Sequence, residues 1–557
     1  MPGSVPNEDG LRALGRNVDA SRRPATSRRR KRIKRTLLVL GIVIVVLIVG
    51  GLGYGYYLAN KVHRVSVKSL TPGATGGADA GTTNILLVGS TTRCGLQKQT
   101  PAFGLCTKGV SGVNSDVIMI LHLNPSNKTV RLLSIPRDLF IPNSRDTGTG
   151  YGAYKIANSL YQGPSQLVAA IEEDFGIPIQ HYVELNFDTF ASVVTALGGV
   201  TMEFPEPVHD AYSGLNVLVP GCHHLNGFEA LQVVRARHLQ YKAPTVTATT
   251  PATWPYETQS DLARIRRDHE FLRVLASKVA HRGLSNPASD FSLISALAPN
   301  LTVDSGMSVS YMASLALTFH GVSFNTAPQW TLPVRVDTFG TYRYRGFPKG
   351  DVEFPAQPTD QAIIDQFLGI NNDTNSLTGQ PLPSPRSVTV SVLNGTGVAT
   401  QAGTTSQELG RLGFQMVGVG TTTPVGTVSE TLVTYDQRTP ADEAAAQLVA
   451  RSLSGSVILA YGKTADGADV TVTTGTDFSV NSAAPSASST PSSTAAPSTS
   501  TAPATSATTP TSSSGGTGAS GTTSSFTPPT KPVNALKPYD PRACPPGVTG
   551  TTSGWGS

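Results

Sequence analysis

Charge is scarce in this chain. Asp, Glu, Lys and Arg make up 14% of its 557 residues, against about a quarter in ordinary soluble proteins. Cysteine is scarcer still, with four residues whose spacing does not suggest a zinc site; His223-His224 beside Cys222 reads as a turn rather than a metal cluster. Basic excess is also missing from most of the chain. Residues 1–35 carry eleven Lys or Arg against Glu8, Asp9 and Asp19, a net of +8, while the whole chain is +6, so everything after residue 35 sums to −2. The pI near 9.0 therefore describes a short basic tail, and no nucleic-acid-binding domain is expected. The turn LNGTG at 393–397 lacks the third glycine and the lysine of a phosphate loop, which argues against nucleotide binding there.

Long uncharged sequence is what the chain does have. TLLVLGIVIVVLIVGGLGYGYYLAN (36–60) runs for 25 residues without a charge; as a helix it would reach roughly 37 Å, enough to cross a bilayer. Nine Lys or Arg lie between Arg22 and Arg35, but only Lys61, Arg64 and Lys68 follow closely. This bias places the N-terminus in the cytoplasm and the bulk of the chain outside, with 36–60 as an uncleaved signal anchor at the cell membrane. In that oxidising compartment a disulfide between Cys94 and Cys106, which flank a Gly-rich loop, is plausible, whereas Cys222 and Cys544 either pair or stay free.

Past a stalk at 61–83, strands and helices alternate. NILLVG (84–89), DVIMILHLN (116–124), VRLLSI (130–135) and HYVELNF (181–187) read as strands, the second and third as a hairpin. GPSQLVAAIEEDFG (163–176), DTFASVVTALGGV (188–200) and DLARIRRDHEFLRVLASKVA (261–280) have helical spacing, while GFEALQVVRARH (227–238) opens as a helix and runs into strand-like alternation. This is the pattern of an α/β layer domain of about 200 residues. A connecting region (286–386) precedes a small α/β domain at 387–480, and the Ser/Thr/Ala/Pro-rich remainder, 481–557, is expected to stay disordered.

One stretch needs an explanation. In LLSIPRDLFIP (132–142) apolar residues flank a Pro-Arg-Asp triplet, so a strand ends by delivering a charged pair. Arg137 has possible partners in Asp116, Lys155, Arg235, Arg237, Arg264 and Arg267. Arg235 and Arg237 lie two apart on an expected strand, and Arg264 and Arg267 three apart on a helix. That makes up to six cations with few acids. The planar arginine fork matches phosphate oxygens bidentately, which suits a phosphoester or pyrophosphate.

NILLVGSTTR, SDVIMILHLNPSNKTVRLLSIPRDLFIP, YKIANSLY, LGGVTMEFPEPV, LNGFEALQVVRARH and DLARIRRDHEFL, in that order over about 84–280, resemble the LytR-CpsA-Psr family, and 387–478 resembles the LytR C-terminal domain that often follows it. The resemblance implies a three-layer α/β core (84–285) around a central mixed sheet. It implies a membrane-anchored phosphotransferase that takes a polyprenyl-pyrophosphate-linked glycopolymer (teichoic-acid-like, arabinogalactan-like or capsular) and attaches it to peptidoglycan, with Mg²⁺ or Mn²⁺ on the pyrophosphate. By matching position, Asp116 is the metal-side acid, Arg137, Arg235, Arg237 and Arg264 are the pyrophosphate-binding arginines and Lys155 is the lysine of the family's Lys-Ile-Asn motif; Lys155 and, from its helix spacing alone, Arg267 complete the expected pyrophosphate set. Asp138 supports them, and Asp116, Arg137 and Arg235 carry the catalysis. The chain departs from the family at Thr91, where a second metal-side aspartate is usual, at Asn114, where an arginine is common, and at Asp268-His269, where glutamines are usual. Losing a carboxylate should weaken magnesium binding, so a non-catalytic binder of lipid-linked precursor, acting as an accessory or regulatory protein, is the alternative expectation.

Overall fold

The computed structural model describes residues 61–72, 81–91, 113–142, 154–258, 260–282, 301–319, 322, 327–337, 342–344, 346–422, 425, 430–485 and 535–552. The chain divides after Lys61 into two units, and the architecture that follows is that of Val62–Ser557. The uncharged run at 36–60 and the loop with Cys94 and Cys106 lie outside the described residues. Among the described residues no helix is long and apolar enough to cross a membrane.

The core is a seven-stranded mixed sheet of β1 (His63–Val65), β2 (Thr83–Ser90), β3 (Ser115–Asn124), β4 (Thr129–Ser134), β5 (His181–Leu185), β6 (Thr302–Asp304) and β7 (Gln329–Thr331), in the order β1-β6-β5-β2-β3-β4-β7. β2, β3 and β4 form an antiparallel meander, while β2 runs parallel to β5 and β4 parallel to β7. Alternation along the strands divides the apolar side chains between two faces. Leu86, Val88, Ile118, Ile120 and Leu133 point to one core with α1 (Pro164–Phe175), whereas Ile85, Leu123, Val130 and Val303 point to another. α1 begins with Pro164 and stops at Gly176 in a left-handed conformation (φ 63°), the cap that glycine adopts without a Cβ penalty. The expectation of an α/β core around a central mixed sheet is met.

A third core joins α2 (Phe187–Ala196), α3 (Gly227–Arg235) and α4 (Ser260–Arg282) to the paired strands Val200–Phe204 and Gly221–Leu225. α2 is capped by the Asn186 side chain, and α3 by a full capping box of Asn226 and Glu229. α3 ends at Arg235, and Ala236 is already extended. Arg235 and Arg237 therefore lie at a helix end and the chain leaving it, not on a strand.

Two domain boundaries differ from expectation. The region 286–386 is no mere connector: it supplies β6, β7 and the helix α6 (Thr359–Leu368), which follows α5 (Val309–Thr318) and places Ile363, Ile364 and Phe367 in the main core. Met312 and Leu315 of α5 cover the opposite face. The end of the chain is not all disordered either. Arg542–Ala543 pairs with Val200–Phe204, Thr551–Thr552 pairs with Gly221–Leu225, and Cys544 is bonded to Cys222. The small domain also gains strands that the Gly- and Thr-rich sequence concealed. It is a five-stranded sheet of β8 (Thr389–Asn394), β9 (Gln415–Thr421), β10 (Thr431–Tyr435), β11 (Val457–Tyr461) and β12 (Val470–Thr474) in the order β9-β8-β12-β10-β11, packed with α7 (Gln401–Arg411) and α8 (Pro440–Arg451). A buried pair, Arg451–Asp365 at 3.1 Å, ties α8 to α6.

Candidate functional site

The Pro-Arg-Asp triplet sits where β4 has ended. Leu139, Phe140 and Ile141 are fully buried and lock the backbone just after the triplet's turn: Phe140 N–H donates to Glu353 O (2.7 Å) and Ile141 N–H to Tyr154 O (2.8 Å). The apolar run is thus an anchor for a rigid pedestal. From it Arg137 pairs with Asp116, at the start of β3, and lies 3.7 Å from Asp138. Asp138 receives Lys155 (3.0 Å) and Arg237 (2.8 Å). Burial alone would raise the Asp138 carboxyl, but Arg137, Lys155 and Arg237 outweigh it and hold it below the usual carboxylate range. Asp138 therefore sits among three cations and is placed to hold them.

The network continues onto α4. Asp261 lies 3.3 Å from Arg237 and 3.1 Å from Arg264, and Asp268 lies 3.6 Å from Arg264. Asp261, Arg264 and Asp268 are spaced i, i+3, i+7, so one helix face carries all three, although the same spacing marks any solvated charged helix face. Glu353 stands behind the group, its carboxyl pushed well above the usual range by burial and by Asp261 and Asp138.

Arg137, Arg235, Arg237 and Arg264 all line one cavity of about 540 Å³, together with Asp116 and Asp268. Most of its remaining wall is apolar: Leu87, Val117 and Met119 from the sheet, Phe187 and Phe190 from α2, and Leu231 and Phe271 from α3 and α4. The Arg235 guanidinium lies over the Phe187 ring, 4.7 Å from its centroid. Gly89 also lines the cavity; a Cβ there would stand 2.9 Å from the Cβ of Val117, so only glycine lets β2 and β3 close together at this end. Thr91 and Asn114, the two departures at the strand ends, also face the cavity and hold each other, Thr91 N–H to Asn114 O (2.9 Å) and Asn114 N–H to Thr91 Oγ (3.0 Å).

Two expected ligands are placed differently. Lys155 backs the site through Asp138 and is not among the cavity-lining residues. Arg267 lies away from the cavity, 1% exposed, held by Glu257 (2.5 Å), the carbonyl of Ala236 and Asp540 (3.9 Å). Three residues along a helix is about 300° of rotation, so Arg264 and Arg267 are neighbours without sharing one target. His269 turns to Ser134 (2.6 Å), and burial lowers it to about 4.

As for a metal, the described residues hold no group of three or more His, Cys, Asp or Glu able to form a cage. Asp116, 21% exposed beside the arginines, is instead the type of single carboxylate that shares Mg²⁺ with substrate phosphates. A chamber with aromatic walls and four arginines at its strand and helix ends defines a protein suited to an amphiphile with an anionic head. Residues 56–353 match the model of the LytR_cpsA_psr family, and the chain belongs to that family. Residues 387–478 match a second model, LytR cell envelope-related transcriptional attenuator. The "Probable cell wall biosynthesis protein LcpB" of Corynebacterium glutamicum is 35% identical over 289 residues, 51% of this chain and 61% of that protein. The chain thus spans less than two thirds of that relative. The polyisoprenyl-teichoic acid–peptidoglycan teichoic acid transferase TagV of Bacillus subtilis is 35% identical over 137 residues, 24% of this chain and 34% of its own. A solved LytR-Csp2A-Psr enzyme from Actinomyces oris is 25% identical, covering 55% of this chain and 96% of its own, with a TM-score of 0.41.

Proposed function

We propose that this protein is a cell-wall phosphotransferase that binds a polyprenyl-pyrophosphate-linked anionic glycopolymer and passes its phosphoglycosyl group to a peptidoglycan hydroxyl. The carrying observation is the convergence of Arg137, Arg235, Arg237 and Arg264 on one apolar-walled cavity. The prenyl chain would lie along Phe187, Phe190 and Phe271, with the pyrophosphate among the arginines. The acceptor oxygen attacks the phosphorus bearing the sugar, the bond to the bridging oxygen breaks, and polyprenyl phosphate leaves with charge that the arginines neutralise. Asp116 would take the acceptor's proton or hold Mg²⁺ (or Mn²⁺) against the phosphates. The metal would supply further charge neutralisation at the leaving group.

Binding of a short-chain polyprenyl pyrophosphate sugar, with and without Mg²⁺, followed by turnover with peptidoglycan fragments, tests this reading. Arg235→Ala should weaken binding by about 1.5–3 kcal/mol, the range for hydrogen bonds to charged groups. Tight binding by the native protein with no transfer would favour the accessory-binder reading, which Thr91 and Asn114 support. No binding at all would sink both. We further propose a single-pass anchor at 36–60 with a cytoplasmic N-terminus. Protease added to cells stripped of wall should then cleave beyond residue 60 and spare 1–35, and the reverse pattern would invert the topology.

A further inference from the structure

A carboxylate is an unexpected neighbour for a pyrophosphate, and Asp268 is one. It lines the cavity with the four arginines, is 4% exposed, and neither oxygen has a hydrogen-bond partner among the described residues. Its one ion-pair contact, Arg264 Nε, is 3.6 Å away, longer than a good charge-assisted hydrogen bond. An ionised carboxylate left so would pay for desolvation and repel an incoming phosphate, whereas a carboxylic acid offers an O–H donor of the kind a phosphate oxygen accepts.

We propose that Asp268 meets the anionic head as a neutral acid, donating its proton in a hydrogen bond to a phosphate oxygen, so that binding to the ionised site takes up one proton. The inference rests on the lipid-pyrophosphate reading of the cavity. Burial pushes Asp268 up to about 7; Asp261 adds to the rise, and Arg264 and Arg267 oppose it. Arg137 and Asp116 face the same cavity from the sheet side, Arg235 from α3, and Arg237 and His238 from the segment after it. His238, its ring tilted against Tyr212 at 4.4 Å between centroids, is the histidine that lines the cavity.

The sign follows from linkage. Below about pH 7 the acid form is already present and affinity is flat. Above it the site must regain a proton, and affinity falls by up to about tenfold per pH unit. Folding carries the same sign: the unfolded chain releases this proton near about pH 4, so the native state loses stability as pH rises from there to about 7.

The test is calorimetric binding of a geranyl-pyrophosphate-sugar diester, whose phosphates keep constant charge over the range, to native protein, Asp268→Asn and His238→Gln between about pH 5 and about pH 9. The native protein should lose up to about a hundredfold in affinity from pH 7 to pH 9. Asp268→Asn, a permanently neutral donor, should be flat, bind tighter than native at the alkaline end, and melt at or above the native temperature at pH 8. His238→Gln should keep the native pH dependence, whatever its absolute affinity. Three outcomes overturn the proposal: a flat native profile, a step that disappears with His238→Gln and survives Asp268→Asn, or an Asp268→Asn protein that folds but binds weakly at every pH, which would make the carboxylate itself the ligand. Absence of binding by all three proteins at every pH would remove the lipid-pyrophosphate reading, and this inference with it.

Discussion

Replacing Arg267 by alanine is expected to destabilise the folded unit by about 3–5 kcal/mol, the loss seen when a buried ion pair is stripped of one partner. Affinity for lipid pyrophosphate per folded molecule should stay within about twofold, because the guanidinium does not reach the cavity. It binds Glu257, the carbonyl of Ala236 and Asp540, all at near-zero exposure. Burial already pushes the Glu257 carboxyl up, with Arg267 the main opposing influence, so the variant would leave Glu257 to protonate rather than stay ionised. Asp540→Ala should be comparably harmful, since Asp540 takes both Nε (2.6 Å) and an Nη (3.1 Å) of Arg266. The two losses should be non-additive in a double-mutant cycle read by urea denaturation. An Arg267→Ala protein with an unchanged midpoint and abolished binding would place Arg267 in the site and refute the structure at that point.

That Asp540 matters at all could not be read from composition. A Ser/Thr/Ala/Pro tail cannot bury enough apolar surface to fold by itself, and 535–552 does not fold by itself. It borrows the open edges of two strands, a disulfide partner in Cys222 and the stacking of Tyr539 on Tyr241 at 4.0 Å. Each of these contacts is roughly 300–340 residues distant in sequence, out of reach of any local pattern. β6 and β7 were hidden in a supposed connector because a three-residue strand has no periodicity of its own. The meander β2–β3–β4 and helices α1, α2 and α4 were legible because their apolar alternation is local and strong.

The cations of the site were legible because arginine at the ends of apolar elements is conspicuous; their acids were not. Asp138 was seen only because it adjoins Arg137. Asp261 and Glu353 have no such marker, and Asp268 read simply as a departure from a motif. In sequence the site looked like six cations short of acids. In space Asp116, Asp138, Asp261 and Asp268 interleave with Arg137, Lys155, Arg237 and Arg264. With Arg235 counted and Asp268 neutral the cavity is only partly balanced, but Arg137, Arg237 and Arg264 each have another carboxylate beside them, so deleting Arg137 relieves little repulsion.

That balance sets the expectation for Arg137→Ala. Binding of the lipid pyrophosphate should weaken by about 1.5–3 kcal/mol, some tenfold to a hundredfold, as a charge-assisted contact from the pedestal is lost. Stability should fall slightly, by about 1 kcal/mol or less, and should not rise. Asp138 keeps Lys155 and Arg237, while Asp116, at 21% exposure, can turn to water rather than remain an orphaned buried charge. The two acids predict a pH signature. Asp138 is held low in the native protein, so its contribution is present above about pH 4, the unfolded value, and disappears as pH falls through the lower native one. Without Arg137 the native value moves back toward the unfolded one, and the variant's deficit should shrink below about pH 4. Urea midpoints across acid pH, set beside ligand affinity on the same protein, read both effects. A sharp loss of stability with affinity per folded molecule intact would show that the apolar anchor of LLSIPRDLFIP holds Arg137 for the fold alone, and the anion-binding role of the triplet would fall.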